Sequence, residues 1–127
     1  MTSVVESSAR VFRRAIVMPN LSPPITTLDR AINYKSRIIK SIPKGVDFTP
    51  LITAYLTDNI SPQMLKEGFK EAIFFAAKLY PAKSTTNSDC GVSDISKLNP
   101  VLEVMEEIGM PLLIHGEVTD SEVDVFD

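Results

Sequence analysis

Short apolar runs alternate with stretches of helical spacing along this chain, and the alternation predicts its architecture. Residues 15–18, AIVM, form an apolar run that stops at Pro19-Asn20 and opens into the loop LSPPITT, as a buried strand and its exit would. Leu28, Ala31, Ile32, Ile38, Ile39 and Ile42 then follow helical spacing until Pro43-Lys44-Gly45, and Thr26, three residues before Asp29, resembles a capping box. Residues 48–56, FTPLITAYL, repeat the strand pattern, with Pro50 making the first residues irregular and Thr57-Asp58-Asn59 as the exit. Ser61-Pro62 opens a helix with an inner stripe of Leu65 and Phe69. Residues 72–80, AIFFAAKLY, read as a third strand. The polar segment PAKSTTNSDCGVSD follows, too poor in apolar residues to pack and long enough for a lid or binding loop. Ile95, Leu98, Leu102 and Met105, flanked by Val101 and Ile108, restore helical spacing up to Gly109, and residues 111–114, PLLI, give a fourth strand.

The N-terminus admits two expectations. Residues 1–14 are rich in Ser and Arg, with Glu6 their only acid, as in an organellar transit peptide. The favoured alternative is an ordinary first helix, with Val4, Val5, Val11 and Phe12 on one face and Arg10, Arg13 and Arg14 near the C-terminal end, where cations suit the helix dipole. The order is then αβαβαβαβ, an α/β fold with a parallel sheet.

Composition narrows the function. At 127 residues and 44% hydrophobic, the chain suffices for one domain with a core. A net charge of -3 without a basic block gives nucleic acid or an anionic membrane no electrostatic footprint. The single cysteine, Cys90, cannot form an internal disulfide, and no apolar run has membrane-spanning length, so a soluble, cytoplasmic protein is expected.

Lys78 is the residue that calls for chemistry, because it stands inside the apolar run 72–80. An unpaired buried ammonium costs several kcal/mol, on the order of the penalty for any isolated buried charge. Lys78 therefore either snorkels to water past Tyr80 and Pro81 at the strand's end, or looks into a site, or is chemically altered. In parallel α/β folds chemistry gathers at the C-terminal ends of strands. Asn20, Lys78 and His115 stand there, although an Asn commonly just turns a loop and a lone His is more often structural. Lys78 and His115 end adjacent predicted strands, within reach of one ion.

The strings AIVMPN with LSPPITT, DFTPLITAYLTD, EGFKEAIFFAAKLYPA, STTNS and EEIGMPLLIHGEV resemble the zinc-dependent dihydroorotases of the amidohydrolase superfamily, in their compact bacterial form. The resemblance runs from about Arg14 to Asp127. It implies that Lys78 is the lysine carboxylated on its amine to bridge two zinc ions, and that His115 ligates one of them. It also implies that Asn20 contacts substrate and that Thr85 and Thr86 belong to a mobile loop that folds over it. Carboxylation would turn a cation into an anionic carbamate with two oxygen donors, which resolves the problem of the buried charge.

The departures matter as much. The first-strand His-x-His pair and the nearby substrate-binding arginine of the family have no counterpart, nor do a later histidine ligand and the aspartate that acts as ligand and general base. The sequence contains one histidine. The expectation is a partial (β/α)8 barrel, roughly strands two to five with their helices, forming one domain over residues 1–127. It would be a fragment of the enzyme that interconverts N-carbamoyl-L-aspartate and L-dihydroorotate, inactive alone, with no catalytic base of its own and an incomplete site for two zinc ions. Such a chain is expected to be a homo-oligomer or to require the missing barrel half. Two alternatives stand: a non-catalytic remnant or assembly partner, and a barrel enzyme using Lys78 as a Schiff-base nucleophile.

Overall fold

The computed structural model describes residues 2–83 and 87–116. The element order is α1 (Thr2–Val11), β1 (Arg14–Val17), α2 (Leu28–Lys40), β2 (Thr49–Tyr55), α3 (Pro62–Lys70), β3 (Ala76–Leu79), a 3-10 turn (Ile95–Leu98), α4 (Asn99–Ile108) and β4 (Leu112–Ile114). The strands form one sheet in the order β1-β2-β3-β4, every neighbouring pair parallel. This is a curled half-barrel with its helices, in agreement with the partial (β/α)8 expectation.

The helices begin and end where local chemistry satisfies their backbone. Thr27, not Thr26, caps α2 by accepting from the Arg30 N–H at 3.3 Å, because the Thr26 hydroxyl accepts instead from the Arg30 guanidinium at 3.1 Å. Ser61 caps α3 through the Met64 N–H at 3.2 Å, with Pro62 in the first turn as predicted. The helix expected from Ile95 onward divides at Asn99, since Pro100 lacks the N–H that would carry a helix through it. Gly109 ends α4 at φ 70°, a conformation glycine adopts without a Cβ penalty.

Two further elements differ from expectation. The third strand occupies only Ala76–Leu79 of the run 72–80. Ala72 takes φ 56° and the Ile73 and Phe74 N–H groups donate back to the Gly68 carbonyl at 2.8 and 3.0 Å, so the first half of the run closes α3. The apolar face expected of the first helix is largely uncovered: Val5 packs on the core, but Val4 is 67%, Val11 74% and Phe12 59% exposed.

The core lies between the sheet and its helices. Ile52, Ala54, Leu56, Ala77 and Leu79 meet Ala31, Tyr34 and Ile38 of α2, Leu65 of α3, and Val101 and Met105 of α4. The segment after β3, expected to be too polar to pack, is pinned at its far end: Val92 is buried and its N–H donates to the Tyr80 carbonyl at 2.8 Å. Ser93 donates its N–H and hydroxyl to the Asp58 carboxylate at 3.0 and 2.6 Å. Among the described residues no helix is long and apolar enough to cross a membrane.

Candidate active site

The two-residue period of the strands sorts side chains to two faces. Ile52 and Ala54 on β2, Leu56 just beyond it, and Ala77 and Leu79 on β3 point to the helices. Thr53, Tyr55, Lys78 and Tyr80 therefore line the opposite, concave face. Tyr55 is in register with Lys78, and Lys78 with Leu113. The His115 N–H donates to the Leu79 carbonyl at 3.0 Å, extending the pairing past β4 and setting His115 two residues beyond Leu113 on the same face.

Tyr80 joins these groups. Its ring is 2% exposed, stacks on Tyr55 with centroids 5.2 Å apart, and has the His115 ring at 5.9 Å. The Lys78 Nζ stands 5.4 Å from the same ring centroid. Lys78 and His115 are thus brought to one aromatic ring at the C-terminal ends of adjacent strands. Lys78 is half-buried, not enclosed, so its ammonium keeps contact with water while the ring's π-face attracts it. A half-buried side chain at the strand's end satisfies the snorkelling reading as well as that of a residue facing a site.

Asn20 follows β1 and is half-buried. Its backbone carbonyl accepts from Asn87 Nδ2 at 3.2 Å, and the Asn87 carbonyl accepts from the Tyr55 hydroxyl at 3.2 Å. Asn87 links the first strand's exit to the aromatic pair under Lys78. Thr85 and Thr86 lie outside the described residues.

Burial pushes the Tyr55 hydroxyl up to about 12, with Cys90, Tyr80 and Asp89 adding to the effect, and raises Tyr80 as well. Both phenols are neutral donors at neutral pH and neither suits the role of a base. Thr53 is wholly buried one rung below Tyr55, and its hydroxyl has no hydrogen-bond partner. Leaving a buried hydroxyl unmatched costs about 1–3 kcal/mol. Strand alternation was the signal for Thr53 and Tyr55, but inside an apolar run it separates faces without telling which face carries chemistry.

Among the described residues no three His, Cys, Asp or Glu side chains gather to hold a metal. Were Lys78 carboxylated, as the resemblance implies, it and His115 would supply two donor groups, fewer than the about four ligands that tetrahedral zinc takes.

No family model matches the chain. It is 63% identical over 124 residues to a dihydroorotase of Parasynechococcus marenigrum, a match covering 98% of this chain and 36% of that protein. A dihydroorotase of a Synechococcus species is 59% identical over 127 residues, covering 100% and 36%. Among solved structures, the Campylobacter jejuni dihydroorotase superposes with a TM-score of 0.84 at 43% identity, covering 94% of this chain and 35% of that one. The Saccharomyces cerevisiae dihydroorotase, in complex with 5-fluoroorotic acid, gives a TM-score of 0.76 at 40% identity, covering 87% and 31%. The chain spans about a third of the length of these relatives.

Proposed function

We propose that this chain is one portion, a single domain over residues 1–127, of a dihydroorotase barrel. In this account it contributes the bridging lysine and one histidine to a zinc site that interconverts N-carbamoyl-L-aspartate and L-dihydroorotate. The observation that carries the proposal is the convergence of Lys78 and His115 on the Tyr80 ring, in a chain 63% identical to a dihydroorotase.

Lys78 and His115 would hold zinc together with ligands from strands outside this sequence. Zinc in such a site polarises the cyclic amide carbonyl and supplies hydroxide at neutral pH. The residues of this chain do the positioning. Tyr80 fixes the rings and the lysine stem, which limits how far either donor can swing. Asn20 is proposed to contact the substrate, held in place through Asn87 and Tyr55. Thr85 and Thr86 are proposed to close over it. The half-site alone has too few donors for chemistry.

Complementation tests this. Mixed with or fused to the remaining two thirds of a relative, the chain is expected to cyclise carbamoyl aspartate in a zinc-dependent manner, and alone to show no turnover above background. Turnover by the chain alone, or none after complementation with a correctly folded partner segment, would overturn the proposal. A Schiff-base role for Lys78 has no supporting observation in the half-buried, ring-capped geometry.

A further inference from the structure

We propose that Gly91 is a positioning residue: because it lacks a Cβ, residues 87–93 close as a collar on the backbone of Tyr80 and set the ring that Lys78 and His115 share. What that ring does for a metal site rests on the dihydroorotase reading; the positioning itself does not.

β3 ends at Leu79, one residue short of Tyr80. The Tyr80 carbonyl is held by the returning chain, accepting from the Val92 N–H at 2.8 Å, and the Ala82 N–H donates to the Val92 carbonyl at 3.1 Å. Pro81 and Val92 thereby form a short parallel bridge outside the sheet. The collar also closes on itself, since the Ser88 carbonyl accepts from the Gly91 N–H at 2.9 Å and from the Lys83 N–H at 3.1 Å. Val92 is packed into the core, and the bonds from Ser93 to Asp58 tie down the far end. All of these bonds join residues between Asp58 and Ser93, away from both outer strands.

Gly91 is buried where this arrangement is tightest. A Cβ there would stand 2.5 Å from the Tyr80 carbonyl oxygen, 2.9 Å from the Ser88 carbonyl oxygen and 3.1 Å from Ala82 Cα. All three are backbone atoms, so no side chain can rotate away and the collar and Tyr80 would have to part. The Tyr80 ring moves with its backbone. That ring has the Lys78 Nζ at 5.4 Å and the His115 ring at 5.9 Å, so Gly91 acts on both through Tyr80.

Nuclear magnetic resonance of the purified 127-residue chain tests the inference, because the sequence holds one histidine and its imidazole signals are unambiguous. The Tyr80 ring current shifts those signals, and Tyr80→Leu defines by how much. At one fixed pH, Gly91→Ala is expected to move the His115 ring signals toward their position in Tyr80→Leu. Asn87→Gly is expected to leave them in place: glycine accepts the φ of 56° at residue 87 and keeps the carbonyl that the Tyr55 hydroxyl uses, losing only the amide bonded to Asn20. Asp58→Ala frees the far end of the collar without adding volume, and should move the His115 signals in the same direction as Gly91→Ala but less far. It decides the matter if circular dichroism shows Gly91→Ala to be unfolded. In the barrel completed with the remaining segments of a relative, Gly91→Ala should weaken zinc binding by about tenfold or more, the loss typical when groups that orient metal ligands are disturbed. His115 signals unmoved in folded Gly91→Ala, or unmoved in Asp58→Ala where Gly91→Ala does not fold, overturn the inference, as do signals moved equally by Asn87→Gly. Moved signals with unchanged zinc affinity uphold the positioning and contradict the metal role given to Lys78 and His115.

Discussion

Lys78, Tyr80 and Tyr55 form the structural centre of the concave face, and each depends on the next. Tyr80 is buried, with the Tyr55 ring, the Lys78 Nζ and the His115 ring at 5.2, 5.4 and 5.9 Å from its centroid, so its position constrains theirs. The Tyr55 hydroxyl holds the Asn87 carbonyl, which in turn keeps Asn87 bonded to the exit of β1. Tyr55→Phe removes that hydrogen bond while leaving the ring stack, and is expected to cost about 1 kcal/mol. Its diagnostic effect is faster amide exchange across residues 87–92, with β2 and β3 unchanged; unchanged exchange there would show that the Tyr55 hydroxyl does not anchor the loop. At Asp58, the Ser93 hydroxyl and N–H, with a smaller contribution from Lys97, hold the carboxyl below its ordinary value of 3.8. A folded pKa below the unfolded one stabilises the fold above the ordinary value and loses that contribution as pH falls through the lowered one. The melting temperature of the natural chain is therefore expected to drop on acidification below about pH 4. Asp58→Asn should flatten that dependence without abolishing it, since Asp94 is lowered in the same way by Ser96.

Between elements, tight packing decides where the chain bends. Gly68 in α3 lies against Phe74 and Leu28: a Cβ there would collide with the Phe74 ring and stand 2.7 Å from Leu28 Cδ2. Gly68→Ala is expected to destabilise by about 1–3 kcal/mol, as overpacking does, despite alanine's better helix propensity. A denaturant midpoint at or above that of the natural chain would contradict this. The same contact explains the limits of sequence interpretation. All four strands and the helices at Ser61 and Gly109 were legible because their caps and periodicities are local. The run 72–80 misleads because apolar content alone does not separate a strand from a packed turn, and Phe74 is buried while closing α3. Val4, Val11 and Phe12 carry the spacing of a buried face, yet nothing within the described chain covers them. That Lys78 and His115 end adjacent strands was legible from strand order; their common neighbour Tyr80 was not, because ring placement depends on register and curl.

At the scale of the whole molecule the described residues form a half-ring, and the proposed chemistry needs groups that they lack. The curl is that of the relatives' barrel, with a TM-score of 0.84 to the Campylobacter jejuni enzyme. Lys78 and His115 stand at the inner edge of that curl, and a bridging carbamate on Lys78 would serve two ions at once. Metal analysis of the completed barrel, made by fusing this chain to the remaining segments of a relative, tests the central claim most directly. Lys78→Ala in that protein is expected to lose both zinc ions together with turnover. Lys78→Arg should fail to restore either, because a guanidinium cannot become a carbamate. His115→Ala should weaken one ion more than the other. Two zinc ions and normal turnover retained in the Lys78→Ala protein would contradict the account.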